Sequence, residues 1–398
     1  MQHVEKKEFK HGFRSDECIQ CGICLSQCHY SALKPEDARQ IMKEISVKPQ
    51  WHNALSSCIR CGKCDYRCPK DARPGDLMRE SLVSKRQGED VIPASMAYGI
   101  NGMGAEGWKP SFFQDVFRGL GKKDKAILQD WSMPKKSRDL LWIGCTDRML
   151  PMTLENAYAL RNIAKFGGPD DCCGAWAIQG GMIDEGYRIA KRLVSRLEEC
   201  SFDRLVVLCG HCQKILTKTF PEKLGVELPF PIISVYDYFL EMLEEGSISV
   251  TAPLNIDAAI SDPCFASVNG DTFMAGIRKI AGEIGMTITE MPRNKQNSIC
   301  CGYGGLFTNG KVSGVLKSAR IKRKDMVACG KKHVVSYCPG CHIVNHYFQF
   351  GYKSHYLLES VLSALGEAQL PPYSALYRRL MKPHIALRLA GTTRSALF

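Results

Sequence analysis

The sequence predicts a multidomain chain of mixed α+β and α/β class: a small helical N-terminal domain followed by two α/β modules duplicated from one unit. Three observations carry this. Two similar cysteine runs stand 40 residues apart, at 18–28 and 58–68. From about residue 139 short apolar runs alternate with helical periodicity, the pattern of small parallel sheets with crossover helices. The same order of elements and cysteines then begins again near residue 255.

The chain has 398 residues, enough for two or three domains and a sizeable core. Apolar residues at 45% and charged residues at 24% exclude wholesale disorder. The 20 cysteines follow a start, MQHVEKKEFK, that has no apolar leader. A secreted disulfide scaffold is therefore not expected, and a cytoplasmic, reducing location is. Clustered cysteines there bind metal or do redox work. No run approaches the ~18 apolar residues of a spanning helix, so membrane contact is expected to be at most peripheral. Lys and Arg number 53 against 41 Asp and Glu, a formal +12. Thiolate-held clusters, at about −2 each, would remove much of that excess. With no Lys/Arg stripe interleaved with aromatics, nucleic-acid binding is not expected.

Residues 1–90 form the first expected domain. Its runs are Cys18-x2-Cys21-x2-Cys24-x3-Cys28 and Cys58-x2-Cys61-x2-Cys64-x3-Cys68, the second followed by Pro69 and the first by His29 in place of proline. This is the bacterial ferredoxin pattern, in which the fourth cysteine of each run serves the other cluster. The resemblance implies two cubane [4Fe–4S] clusters, one on Cys18, Cys21, Cys24 and Cys68, the other on Cys58, Cys61, Cys64 and Cys28. Zinc suits separated CxxC knuckles, not four thiols packed within each run. Gly22 and Gly62 are expected to let the backbone pass close to the inorganic core. SALKPEDARQIMKEI between the runs reads as a helix, giving a helical ferredoxin-like domain.

Residues 91–138, rich in Gly, Pro and Lys, read as a linker interrupted by one short helix at SFFQDVF. The first module, 139–252, opens with LLWIGC as a buried strand and TLENAYALRNIAKFGG as a helix closed by glycine. RIAKRLVSRLEEC (helix), DRLVVLC (strand) and VYDYFLEMLEEG (helix) follow. The second module, 253–370, repeats the order. IDAAISDPC is a strand, MAGIRKIAGEIG and VLKSARIKRKDMVAC are helices, HVVSYC is a strand and HYLLESVLSAL a helix. Residues 371–398 form a basic, weakly amphipathic tail suited equally to solvent and to an acidic partner or anionic lipid surface.

Each module carries the same five thiols. The first has Cys145, then Cys172-Cys173-Gly174 after 26 residues, then Cys209-Gly-His-Cys212 after 35. The second has Cys264, Cys300-Cys301-Gly302 after 35, and Cys338-Pro-Gly-Cys341 after 36. The lone cysteine and the CxxC each end a strand, and parallel strands present their C-terminal ends on one edge, where α/β sheets take ligands. Five thiols at one rim are one too many for a cubane or for zinc.

The repeated C…CCG…CxxC pattern resembles the cysteine-rich CCG domain found in the B and D subunits of heterodisulfide reductase. The whole layout resembles the D subunit, or the C and B subunits joined. The resemblance implies a noncubane [4Fe–4S] cluster on each module, held by Cys145, Cys172, Cys173, Cys209 and Cys212 and by Cys264, Cys300, Cys301, Cys338 and Cys341. It implies an oxidoreductase subunit that passes electrons from cubanes to noncubane clusters for disulfide or thiol reduction. A flavin- or hydrogenase-type donor in a multi-subunit complex would supply them. We take the second module's five cysteines as the catalytic set, because its spacings are regular and CGYGG lets a substrate approach the backbone. The same architecture occurs in iron–sulfur subunits of glycolate and lactate oxidases and of anaerobic glycerol-3-phosphate dehydrogenase. A non-catalytic electron wire is therefore the alternative.

Other features carry less. Cys200 and Cys329, repeat-equivalent at helix ends, read as small buried packing residues. His211 and His342 read as packing or solvent-facing side chains, with proton delivery to a thiolate the minority reading. The one G-x-G-x-x-G spacing, at Gly102, Gly104 and Gly107, falls in the linker and not between a strand and a helix, and there is no Walker A, so direct flavin or nucleotide binding is not expected.

Overall fold

The computed structural model describes residues 12–87, Tyr98, 112–305, 312–348 and 351–367. The basic tail and residues 91–97 and 99–111 of the expected linker lie outside the described residues. Among the described residues, no helix is long and apolar enough to cross a membrane.

The N-terminal domain is built on two helices. Pro35–Val47 begins with proline at its first turn, where the missing N–H costs nothing. Its Ala38, Ile41, Met42 and Ile45 recur at helical spacing and are buried against Leu25, Leu55, Leu77 and Met78. The last two belong to the helix Pro74–Gln87. The residues SALK before Pro35 are not helical.

Each module is a four-stranded parallel sheet. In the first, β1 (Asp139–Trp142), β2 (Ala164–Phe166), β3 (Arg204–Val207) and β4 (Ile232–Ser234) lie in the order β2-β1-β3-β4. In the second, β5 (Ile256–Ile260), β6 (Met286–Glu290), β7 (His333–Ser336) and β8 (Lys353–Tyr356) repeat it as β6-β5-β7-β8. Leu141 stands opposite Lys165 and Val206; Ala259 stands opposite Thr289 and Val334. The identical order is what a duplication requires. The modules do not keep separate cores, however. Phe239 and Leu240 of the helix Val235–Glu244 share one buried cluster with Met274 and Ile277 of the helix Asp271–Glu283.

Several elements differ from the expectation. TLENAYALRNIAKFGG is not one helix: a turn of helix at Pro151–Glu155 and a 3-10 turn at Tyr158–Leu160 lead into β2. The helical spacing of its apolar residues instead serves two short turns packed under the sheet. LGKKDK, read as linker, opens the helix Lys122–Trp131, and SFFQDVF gives Phe112–Arg118. Phe112, Phe113, Val116, Phe117, Leu128 and Trp131 of these helices are buried in the same core as β1. Strands β4, β6 and β8 were not read: β4 is only three residues long, and β6 and β8 are rich in Thr, Ser, Lys and His.

The N-terminal domain is fastened to both modules. Tyr30 Oη donates to the Cys300 carbonyl at 2.6 Å, and Lys317 Nζ to the Tyr30 carbonyl at 3.0 Å. On the first module the joint is ionic: Lys223 and Asp76 pair at 2.9 Å, both nearly buried, and Arg73 reaches Glu222 at 3.3 Å.

Candidate metal centres

The eight N-terminal thiols border two cavities. Cys18, Cys21, Cys24 and Cys68 line one of about 320 Å³. Cys28, Cys58, Cys61 and Cys64 line another of about 650 Å³, with Cys24 and Cys300 at its margins. Burial pushes the Cys24 thiol up to about 12, and neighbouring Cys18, Cys21 and Cys68 add to it. Cys61 is pushed up to about 12 in the same way, by burial first and Cys28 next. Such crowding resists deprotonation unless cations sit among the sulfurs; iron at the centre reverses the sign of that argument.

The turn glycines have reasons of their own in the backbone and its packing. Gly22 and Gly62 both adopt left-handed backbone, at φ +75° and +74°. A Cβ on Gly22 would come within 2.6 Å of the Arg39 nitrogen, on the neighbouring helix, whereas one on Gly62 would meet nothing closer than 3.8 Å. Left-handed backbone at both, and helix packing at Gly22, favour glycine there.

In the modules the five thiols form a continuous line. Cys145 hydrogen-bonds with Cys172, Cys172 with Cys173, Cys173 with Cys212 (Sγ–Sγ 3.5 Å) and Cys212 with Cys209. The second module repeats the order as Cys264, Cys300, Cys301, Cys341 and Cys338. In each CCG turn the glycine is left-handed, at φ +73° for Gly174 and +82° for Gly302. That turn aims its N–H at the first sulfur of the pair, Cys172 or Cys300, at 3.4 Å. Hydrogen bonds from Cys172 and then Cys212 hold Cys173 below the usual thiol range, while Cys212 is driven up.

All ten module thiols face a single cleft of about 850 Å³, which also touches Ile59, Arg60 and Cys61 of the N-terminal domain. Tyr303 stands in its wall near Cys145, Cys301 and Cys338, and its ring closes on Gly340, where a Cβ would come within 2.7 Å. His211 also lines the cleft, stacked on Phe265 at 6.1 Å with Nε2 2.8 Å from the Gln179 amide. Burial, then Lys214, pull this imidazole down to about 3, so it is neutral. His342 is buried behind the cleft, 3.0 Å from Ser354 Oγ and stacked on Tyr356.

Cys200 and Cys329 lie elsewhere. Both are half-buried and not, as expected, buried; each stands before the strand whose far end bears the CxxC. Cys200 Sγ accepts from the Lys135 N–H at 3.4 Å, and Cys329 Sγ donates to the Glu290 carbonyl at 3.6 Å.

The donor set fits iron–sulfur groups. All 20 cysteines are free thiols. Among the described residues no trio of His, Cys, Asp or Glu closes on a single ion position; the thiols border cavities instead. In the first module Arg148 is 1% exposed, with Nη2 on the Asp171 carbonyl and Nε and Nη1 lacking partners. Its charge bears on Cys145 and Cys172. A buried guanidinium with spare donors beside thiols is suited to an anionic group. Sequence reasoning passed over Arg148, Gln179 and Lys63, since no motif marks them; only the position of Lys63 inside a cysteine run was a signal.

Two known family models match the chain. Residues 17–73 match the family model of the 4Fe-4S dicluster domain, and residues 140–217 and 258–344 each match that of the cysteine-rich CCG domain. The chain is a dicluster protein with two CCG domains. It is 25% identical over 368 residues to the D subunit of the dihydromethanophenazine:CoB–CoM heterodisulfide reductase of Methanosarcina mazei, covering 82% of this chain and 87% of that one. The corresponding D subunit of Methanosarcina barkeri is 23% identical, with 89% and 93% covered. The B subunit of the fumarate reductase (CoM/CoB) of Methanothermobacter marburgensis is also 23% identical, over 86% of this chain and 70% of its own.

Proposed function

We propose that this chain is the iron–sulfur subunit of an oxidoreductase complex that reduces a disulfide to two thiols. One observation carries the reading: the ten thiols of the two CCG domains converge on a single cleft. Reduction of RS–SR′ takes up two electrons and two protons, breaks the S–S bond and forms two S–H bonds. A cleft bordered by two five-thiol sets offers a place for each sulfur of the substrate. The likeness to the D subunits of heterodisulfide reductases supports a disulfide as the substrate class.

Cys18, Cys21, Cys24 and Cys68 would hold one cubane [4Fe–4S] group and Cys28, Cys58, Cys61 and Cys64 the other; each CCG domain would hold a noncubane group on its five cysteines. Such groups supply one-electron transfer. The chain's own residues arrange the path. Cys24 stands beside Cys64 between the two cubane sites, and Cys61 beside Cys264 at the border of the second CCG domain. Tyr30 and Ile59 pack against Cys300 there. The second CCG domain is accordingly the side that receives electrons, and its five cysteines are our catalytic set. A partner subunit of flavin or hydrogenase type supplies the electrons, in the cytoplasm or peripherally at a membrane.

Anaerobically purified protein is expected to hold about 16 irons per chain. Cys301→Ser should erase one electron paramagnetic resonance signal and spare the cubane signals, and Cys21→Ser should do the reverse. A small thiol such as coenzyme M, added to oxidised protein, should raise a new signal that Cys338→Ala abolishes. Iron near 8 per chain with CCG thiols open to alkylation would overturn the assignment.

A further inference from the structure

Lys63 lies inside the second cysteine run, yet its side chain leaves the N-terminal domain. It is 4% exposed. Its Nζ donates to Ser267 Oγ at 3.0 Å, to the Lys295 carbonyl at 3.1 Å and to the Gln296 carbonyl at 3.3 Å, all in the second CCG domain. The Tyr66 ring covers it at 5.6 Å from its centroid.

The second CCG domain builds this seat independently of Lys63. Asp262, 2% exposed, accepts Arg278 through both oxygens at 3.1 and 2.9 Å, and Tyr337 Oη at 2.6 Å. It also accepts the Lys295 N–H at 2.7 Å. That last bond holds Lys295 in left-handed backbone, at φ +46°, which a lysine seldom adopts unaided. The strained turn presents two carbonyls to the ammonium. Arg278 divides its charge between Asp262 and Glu290, which it meets at 2.7 and 2.9 Å, and Asp262 also faces the ammonium, so the Lys63 charge is answered only in part. The thiols facing it are Cys264 and Cys300 of the second CCG domain and Cys61 of the N-terminal domain; Lys214 faces Cys264 and Cys61 as well. The first CCG domain has Ile143 where the second has Asp262, and hence no such seat.

We propose that Lys63 is the positioning residue of the electron path: a cation locked between Cys61 and Cys264 that favours an electron on the second CCG domain over the N-terminal domain. The proposal rests on the iron–sulfur assignment above. An electron crossing the joint adds one negative charge on the far side. The ammonium is bonded on that side, to Ser267 and to the Lys295 and Gln296 carbonyls, and in a desolvated joint a unit charge acts at a low effective dielectric. Nothing is bonded or broken; one electron leaves the donor and arrives at the acceptor.

Redox titration of the iron-loaded chain, followed by electron paramagnetic resonance, tests this. Lys63→Gln keeps donors for the two carbonyls and removes the charge. It should move the one-electron equilibrium at least tenfold against the second CCG domain, equivalent to about 59 mV. Lys63→Arg should restore most of it. Ser267→Asp sets a carboxylate against the ammonium and should shift the equilibrium the same way, which covers a failure of Lys63→Gln to retain iron. The signal of the first CCG domain should stay put throughout. An unmoved equilibrium in either charge variant with iron intact overturns the proposal, as does an equal shift in both CCG domains. Absence of CCG signals from the unaltered protein would instead overturn the iron–sulfur assignment.

Discussion

The two CCG domains share a sheet order, a line of five thiols and a left-handed glycine, yet their surroundings are not copies. The first leans on a cation of its own, Arg148, and touches the N-terminal domain through ion pairs, Lys223–Asp76 and Arg73–Glu222, on its outer face. The second receives Tyr30, Ile59 and Lys63 of the N-terminal domain against its own Cys264 and Cys300. Duplication repeated the ligand geometry, and the joint made the two sites different.

The largest expected difference comes from Arg148. Arg148→Met removes the buried cation beside Cys145 and Cys172 and leaves the second CCG domain untouched. Iron should fall from about 16 to about 12 per chain, with loss of one noncubane signal. Equal loss from both domains would mean that they assemble as one unit.

A smaller, pH-dependent difference comes from a histidine pair that the first domain lacks. His355 on β8 lies 2.8 Å from His333 on β7; the matching residues of the first domain are Ile233 and Arg204. Burial, then His333 and Lys353, hold His355 down to about 4, against about 6.5 in the unfolded chain. Between those values the unfolded chain binds a proton that the folded chain refuses. Stability is therefore full above about pH 6.5 and falls as pH drops towards 4, by up to about 3 kcal/mol. Urea midpoints at pH 7 and pH 5 should differ less in His355→Gln than in the parent; identical differences would remove His355 from the account.

The smallest difference tests the turns. Alanine at a left-handed glycine costs about 1–2 kcal/mol. At Gly302 the new Cβ would also press on Gly314 at 3.0 Å, and at Gly174 on the Gly186 carbonyl at 3.2 Å. Thermal melts should place Gly302→Ala slightly below Gly174→Ala, and the opposite order would show that the second turn has the looser packing.

Some of this was legible in the residues. Spacing grouped three thiols of each N-terminal run, because a CxxCxxC loop fixes its own local geometry, and the ferredoxin resemblance implied the exchange of Cys28 and Cys68 between the two cavities. The parallel-sheet modules were readable from β1, β3, β5 and β7, each a run of apolar residues buried in the middle of its sheet. Edge strands β2, β4, β6 and β8 were not. They are short and partly exposed, and carry residues such as Lys165, Thr287 and His355 that mark no strand. The helix Lys122–Trp131 was hidden by its lysines, which face solvent while Leu128 and Trp131 do the packing.

By itself, then, the sequence determined the chemistry available: 18 of its 20 cysteines in two runs of four and two repeats of five, with the strand ends that carry them. Those are local matters, decided within a few residues by turn geometry and apolar periodicity. Tertiary structure decided that the two CCG sets open on one cleft, that Tyr30 and Ile59 of the N-terminal domain pack against Cys300 of the second set, and that Lys63 is held by the second CCG domain. Lys63 and Ser267 are 204 positions apart. No local preference brings such groups together; only the packing of three domains around a common joint does, and burial there gives one charge its weight.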